Sequence, residues 1–355
     1  MHQGKRIAIA AGGTAGHVVP ALAVADALLE QGASVFFIGA DRAERELVPA
    51  AGYELQRIVV EGLERRKPRQ AARALLRAAS ATARARKLLS AGGAEAVLGG
   101  GGYVAGPVTL AAAALRLPLV LCEADSHLGL SNRVMAPLAS RVCLAFPLDG
   151  RDGRRYRVTG RPVPPATADR EASRSAFEIG TGETCVLVFG GSLGARSINR
   201  AAFEAFSGAG FRVLHVAGNR DYPELAARPR RRGYDLREYL QIEEFGAALA
   251  ASDLVVARAG GSIFEIASYG RPAVLVPYPH ASGDHQRANA EWMRRAGAAV
   301  VLDDEDLHAA RLAHTVGALL ADPPRLVSMA RASAALARPH AAREIAREVL
   351  TSAGG

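Results

Sequence analysis

Short runs of Val, Ile, Leu and Ala with almost no polar alternation recur along the first half of the chain, separated by longer Ala-rich stretches of helical spacing. The runs near Arg6–Ala10, Val35–Ile38, Ala96–Leu98, Leu119–Cys122 and Val142–Ala145 predict strands that are apolar on both faces. Such strands belong to a parallel sheet covered on each side by helices. The segment Arg155–Pro165 (RYRVTGRPVPP) adds a strand and then a proline-rich linker. Beyond it the pattern starts again, with strands expected near Cys185–Phe189, Arg212–Val216, Leu254–Ala257 and Ala273–Val276, most of them followed by a helix. The fold class is therefore α/β, with two Rossmann-like domains expected over 1–162 and 163–339. A chain of 355 residues suits two cores better than one.

The two halves echo each other. AIAAGGTAGH (Ala8–His17) and LVFGGSLGA (Leu187–Ala195) both read strand, Gly-Gly-Thr/Ser, one residue, Gly, then helix, and Gly12 and Gly190 are 178 residues apart. A glycine turn feeding a helix lets backbone N–H groups approach an oxygen-rich ligand, and the helix N-terminus adds positive potential. A phosphate or sugar oxygen is the natural guest. In the first helix Leu22, Ala25, Leu28 and Leu29 recur at helical spacing, and Gly32 suits a C-terminal cap. His17 stands at its start, where a general base belongs.

Three further segments carry candidate chemistry. Gly99–Pro107 (GGGGYVAGP) leaves the backbone open between a strand and a helix. In Asp253–Pro277 the turn Gly260–Ser262 offers N–H donors to a diphosphate, and Glu265 has the geometry to accept from both hydroxyls of a ribose. Asp284–Asn289 opens another helix with amides and a carboxylate suited to sugar hydroxyls. Each feature also has a plain structural reading: a tight turn, a locally packed histidine, a glutamate near a helix start, an N-cap at Asp284.

With 49% hydrophobic and 22% charged residues the chain has the material for conventional cores. Its net charge of +9 is largely local: nine basic residues lie between Arg65 and Lys87, with Glu64 the one neighbouring acid. Together with Leu75, Leu76, Leu88 and Leu89 they make Arg65–Leu89 a candidate interfacial helix for an anionic membrane surface, a solvated helix being the alternative. No nucleic-acid recognition motif accompanies the charge. Cys122, Cys143 and Cys185 all fall in apolar runs, as reduced, buried thiols do, and no Cys/His group has metal-ligand spacing, so no metal is expected. The N-terminal apolar run is too short for a signal peptide, and Tyr103–Leu115 is too short and too interrupted for a membrane helix.

Taken together, these segments resemble the MurG family of bacterial peptidoglycan N-acetylglucosaminyltransferases along nearly the whole chain. The resemblance is carried by GGTAGHVVPALAVA (12–25), GGGGYVAGP (99–107), CEADSHLGLSN (122–132), FGGSLGARSIN (189–199), RAGGSIFEIASYGRPAVLVPYP (258–279) and DHQRANA (284–290). It implies a GT-B fold, with two Rossmann-like domains facing a cleft and a C-terminal helix, about 340–352, crossing back to the first domain. It also implies inverting, metal-independent and cofactor-free transfer of N-acetylglucosamine from UDP-GlcNAc to a lipid-linked acceptor, lipid I, at the cytoplasmic face of the bacterial membrane. The donor contacts it implies are Thr14, Ala15, Gly16, Asp125 and Arg161, then Ser192 near the phosphates, Ile242 at the uracil, Gly260, Gly261, Ser262 and Ile263, Glu265 at the ribose and Gln286 at the sugar. Acceptor contacts fall on Gly13, His17, Gly102, Tyr103, Glu123 and Asn132. His17 takes the place of the acceptor-activating histidine, and Asp125 and Glu265 complete the catalytic set.

The chain departs from the family pattern in three places. The family's His-Glu-Gln-Asn reads Cys122-Glu123-Ala124-Asp125, its Asn-Pro-Val-Arg reads Arg161-Pro162-Val163-Pro164, and the turn before Glu265 is one residue shorter. A glycosyltransferase with a soluble acceptor and a UDP-GlcNAc 2-epimerase share the same donor logic. A nicotinamide-dependent oxidoreductase fits poorly, because the first loop is GGTAGH and not GxGxxG.

Overall fold

The computed structural model describes residues 4–60, 68–191 and 193–354. Two parallel sheets organise the chain. The first contains β1 (Arg6–Ala11), β2 (Ser34–Gly39), β3 (Glu54–Arg57), β4 (Ala96–Gly101), β5 (Leu119–Glu123), β6 (Arg141–Leu144) and β7 (Tyr156–Val158), in the order β3-β2-β1-β4-β5-β6-β7. The second contains β8 (Cys185–Phe189), β9 (Arg212–Val216), β10 (Tyr234–Arg237), β11 (Leu254–Ala257), β12 (Ala273–Leu275) and β13 (Ala299–Val301), in the order β10-β9-β8-β11-β12-β13. In each sheet the strand order reverses beside the first strand, so β1/β4 and β8/β11 flank the switch points where ligands of open α/β sheets bind. The chain divides into two compact units: unit 1 is Met1–Val163 with Arg338–Gly355, and unit 2 is Pro164–Ala337.

The uniformly apolar runs became the inner strands. Phe36 and Phe37 are adjacent on β2 and both fully buried, on opposite faces of the sheet, as a strand covered on both sides requires. Three strands lay outside the sequence expectation: β3 (ELQR), β10 (YDLR) and β13 (AVV). All three are sheet edges, and in β3 and β10 polar residues interrupt the apolar run, as an edge strand with one side toward solvent allows.

The first helix, Ala15–Glu30, ends as its sequence suggested. Gly32 has φ +82°, its N–H donates to Leu29 O (2.9 Å), and Ala33 N–H donates to Leu28 O (3.0 Å), the pair of bonds of a Schellman cap. Beside it packs the C-terminal helix Ala341–Ala353, whose Ile345, Ala346, Val349 and Leu350 share a core with Val24 and Leu28. Arg141 Nε on β6 donates to Glu348 Oε2 (3.0 Å) and fixes that helix along the sheet.

On the opposite face lies the helix Pro68–Ala91. Its Ala81, Ala85 and Leu89 form a buried stripe, while Arg84, Arg86 and Lys87 are exposed. The expectations for Arg65, Arg66 and Lys67 lie outside the described residues, as do the side chains of Arg69, Arg73, Leu75 and Leu76. Among the described residues no helix is long and apolar enough to cross a membrane.

Candidate active site

In unit 1 two glycine loops interlock at the carboxyl ends of β1 and β4. Gly102 has φ +79°, and a Cβ there would lie 2.0 Å from the carbonyl oxygen of Gly12, so only glycine lets the loops meet. The first loop is anchored from below by Glu44, a fully buried carboxylate that accepts from Gly13 N–H (2.8 Å) and Ala40 N–H (2.9 Å). Thr14 precedes the first helical turn, and its Oγ1 lies 3.2 Å from His17 Nδ1. The other edge of the imidazole faces the second loop: a Cβ on Gly101 would lie 2.7 Å from His17 Cδ2.

His17 is half-buried. Burial lowers its pKa below the usual 6.5, and the charge of Arg161 lowers it further, against smaller opposing effects of Asp125 and Glu44. The imidazole is thus neutral at neutral pH and able to accept a proton. Arg161 Nη2 donates to Gly16 O (2.6 Å), which brings the interdomain-linker arginine onto the first loop. Tyr103 is half-buried with the Arg42 guanidinium 5.3 Å from its ring centre, and burial raises its phenol pKa.

Glu123 and Asn132, expected as acceptor contacts, are turned inward. Glu123 is 7% exposed and accepts from Asp125 N–H (3.1 Å), Gly129 N–H (2.8 Å) and Asn132 Nδ2 (3.0 Å). Asn132 also donates to Cys122 O (2.9 Å). Burial raises the Glu123 pKa against the pull of these donors. The pair shapes the 123–132 loop and so places Asp125, which is half-buried and close enough to act electrostatically on His17.

In unit 2 the corresponding turn follows β8. Gly191 has φ +101° and Gly194 φ +76°, with Gly194 N–H donating to Gly191 O (2.9 Å) across the turn. Ser192 lies outside the described residues. After β11 the chain passes through Arg258 and Ala259 to Gly260, Gly261 and Ser262, which open the short helix Ile263–Ser268. Ile263, expected at the donor, is instead fully buried in the core, and its N–H donates to Gly260 O (3.3 Å). Glu265 is half-buried in the first turn of that helix. Gln286 Oε1 accepts from Tyr278 N–H (3.0 Å), and its Nε2 lies 3.8 Å from the position of a Cβ on Gly260, so the amide borders the turn. Ile242 stands 49% exposed at the start of the helix Ile242–Ala251, which is fixed by a capping box between Gln241 and Glu244. Among the described residues no three His, Cys, Asp or Glu side chains group as a metal site.

The described geometry coincides with a family pattern that spans both units. Residues 7–144 match the glycosyltransferase family 28 N-terminal domain, and residues 185–345 match the glycosyltransferase family 28 C-terminal domain. The chain belongs to glycosyltransferase family 28. It is 41% identical to the UDP-N-acetylglucosamine--N-acetylmuramyl-(pentapeptide) pyrophosphoryl-undecaprenol N-acetylglucosamine transferase of Moorella thermoacetica, over 97% of this chain and 98% of that one. Identity to the protein of the same name from Halorhodospira halophila is 40%, over 96% and 97% of the two chains. The crystal structure of Acinetobacter baumannii MurG superposes with a TM-score of 0.79 at 28% identity, covering 98% of this chain and 99% of that one. This family 28 glycosyltransferase is thus of the MurG type, with the GT-B pair of Rossmann-like domains.

Three buried polar groups of this family 28 chain were not singled out from its sequence. Glu44 is one. Arg258 is another: its Nη1 donates to Val276 O (3.1 Å), Pro277 O (3.2 Å) and Asp304 Oδ1 (2.6 Å), and its Nη2 to Ser197 Oγ (2.9 Å). It ties the end of β12 to the helix Arg196–Ala205. The third is His215, fully buried on β9 and hydrogen-bonded to Tyr234 and Asn199, whose pKa burial lowers to about 3. A histidine inside the apolar run RVLHV was the available signal, since a buried imidazole needs partners.

Proposed function

We propose that this chain transfers N-acetylglucosamine from UDP-N-acetylglucosamine to undecaprenyl-pyrophosphoryl-N-acetylmuramyl-pentapeptide, with inversion at the anomeric carbon. The observation that carries the reading is His17, a neutral imidazole held by Thr14 between two interlocked glycine loops of a family 28 chain. Relatives named for this reaction, matched over nearly the whole chain, support the substrate pair.

In this reading unit 2 holds the donor. The uracil rests against exposed Ile242, Glu265 accepts from the ribose hydroxyls, and Gln286 addresses the sugar. With Nδ1–H donating to Thr14 Oγ1, His17 Nε2 carries the lone pair. The acceptor hydroxyl oxygen bonds to the anomeric carbon as the bond from that carbon to the UDP oxygen breaks. The hydroxyl proton passes to His17 Nε2, and UDP leaves with the electron pair. Backbone N–H groups at the turn that follows β8 and at the Gly260–Ser262 turn, other than the Gly194 N–H already bonded to Gly191 O, meet the charge that develops on UDP, fixed donors being most effective there. Gly13, Gly102 and Tyr103 receive the acceptor diphosphate. Exposed Arg77, Arg84, Arg86 and Lys87 on the helix Pro68–Ala91 attach unit 1 peripherally to an anionic membrane surface on the cytoplasmic side, at about 1 kcal/mol per basic residue near the lipid.

The test incubates the full chain with UDP-GlcNAc and a short-chain lipid I analogue, with and without chelator, and looks for the disaccharide product by mass spectrometry. Product is expected in both arms. His17→Ala is expected to lower kcat by about 10²–10⁴-fold with UDP affinity retained, and Glu265→Ala to weaken UDP binding. Undiminished transfer by both variants at saturating donor overturns the assignment, and donor conversion without acceptor favours an isomerase. Flotation with liposomes, with and without anionic lipid, tests the membrane arm.

A further inference from the structure

His215 lies deep in unit 2 and takes no part in the chemistry above, yet its hydrogen bonds lead to the glycine turn after β8. Its Nδ1 is 2.8 Å from Tyr234 Oη on β10, and its Nε2 is 3.1 Å from Asn199 Oδ1 on the helix Arg196–Ala205. Asn199 Nδ2 donates both to Ala217 O (2.8 Å) and to Asp221 Oδ2 (2.9 Å). A carbonyl and a carboxylate only accept, so the amide has one orientation, with Oδ1 toward His215. Nε2 must then carry the ring proton. The neutral ring leaves Nδ1 as an acceptor, and the Tyr234 hydroxyl donates to it. Each bond fixes the polarity of the next, and His215, Asn199 and Asp221 are all buried, so solvent offers no substitute partner.

The far end of this relay is the turn itself. Ala217 O is the atom that a Cβ on Gly194 would approach to 2.0 Å, and a Cβ on Gly218 would lie 2.3 Å from Gly194 N. Asp221 Oδ1 accepts from Nε of Arg196, the first residue of the helix (3.1 Å). Gly194 and Arg196 are therefore each seated on a group that Asn199 holds. We propose that His215 is a positioning residue for the donor diphosphate, acting through Asn199 to fix Ala217 and Asp221 and, with them, the backbone of Gly194–Arg196. The inference rests on the reading of unit 2 as the donor unit.

The experiment uses full-length His215→Phe, His215→Gln and Tyr234→Phe. Donor and acceptor KM are measured separately, together with amide hydrogen exchange at Gly194–Arg196 in the free protein. His215→Phe keeps the bulk but leaves Asn199 Oδ1 without a donor. It is expected to raise the KM for UDP-GlcNAc by about tenfold, the scale of one buried polar group left unpaired, with the acceptor KM unchanged and exchange at the turn accelerated. His215→Gln, whose amide can donate to Asn199 and accept from Tyr234, should recover most of the loss. A folded His215→Phe with wild-type donor KM and wild-type exchange overturns the proposal, as does an equal rise in both KM values that His215→Gln does not relieve. If His215→Phe does not fold, Tyr234→Phe decides: a selective rise in donor KM supports the relay and no change refutes it. A wild-type chain that fails to bind UDP would defeat the donor reading instead, while the exchange rates would still report whether His215 holds the turn.

Discussion

The first glycine turns of the two units start from nearly the same sequence and arrive at different structures. Gly13 and Gly191 occupy equivalent positions and have the same φ, +100° and +101°. Beyond them the turns diverge. In unit 1 the helix begins at Ala15, so Gly16 is already helical. In unit 2 it begins at Arg196, which is equivalent to position 18 (196 − 178), three residues later, and Gly194 remains at φ +76°. The neighbours account for the difference. Glu44 draws the first turn toward β2 and Gly102 closes on it from β4, whereas the second turn leans on Ala217 and Gly218 at the end of β9. Unit 1 thereby presents a side chain, His17, where unit 2 has Ala195 and presents backbone. One motif has been bent to two structures: one sets a titratable side chain at the start of a helix, the other keeps a glycine at positive φ against the end of β9.

Equivalent substitutions test that contrast most sharply. Gly194→Ala would put a Cβ 2.0 Å from Ala217 O at a positive φ, while a Cβ on Gly16 meets only side-chain atoms, at 3.5 and 3.6 Å. In urea denaturation Gly194→Ala is expected to cost about 3 kcal/mol or more, and Gly16→Ala to stay within about 1 kcal/mol of wild type, since alanine favours a helix. Equal losses would mean that the two turns are alike after all. A smaller effect is expected from Glu44→Gln, which turns an amide NH2 toward one of two N–H donors and should cost about 1–3 kcal/mol in thermal unfolding. An unchanged melting temperature would remove Glu44 as the anchor of unit 1.

The smallest effect concerns pH. The His17 pKa lies below its usual value, so transfer should rise with pH through that pKa and level off near neutrality. Asp125 raises the pKa and Arg161 lowers it. The acid limb of the pH–rate profile should therefore move to lower pH in Asp125→Asn and to higher pH in Arg161→Gln. Movement in the opposite senses, or none, would take His17 out of the proton-transfer step.

Much of this could be read from the chain alone, and the boundary of what could be read is physical. Inner strands such as Cys185–Phe189 and Arg212–Val216 declare themselves because burial on both faces demands unbroken apolar runs. Edge strands such as ELQR and YDLR escape that demand and resemble loops. Among site residues, His17 and Gly102 stood out because glycine turns punctuate the sequence. Glu44, Arg258 and His215 did not, because what distinguishes them is a partner far along the chain: Gly13 for Glu44, Ser197 for Arg258, Asn199 for His215. Glu123 and Asn132 show the converse. The family resemblance implies them as acceptor contacts, and it gives no sign that their polar atoms also shape a loop.

The helix Ala341–Ala353 has a consequence for biosynthesis. Unit 2 is continuous, so every residue of its core is synthesised before that helix. Unit 1 waits longer: Ile345, Val349 and Leu350 complete the apolar face over Val24 and Leu28, each such side chain contributing about 1.5–3 kcal/mol when buried. The half of the chain that is translated first is thus finished last, and the nascent chain carries an open hydrophobic surface on unit 1 throughout the synthesis of unit 2.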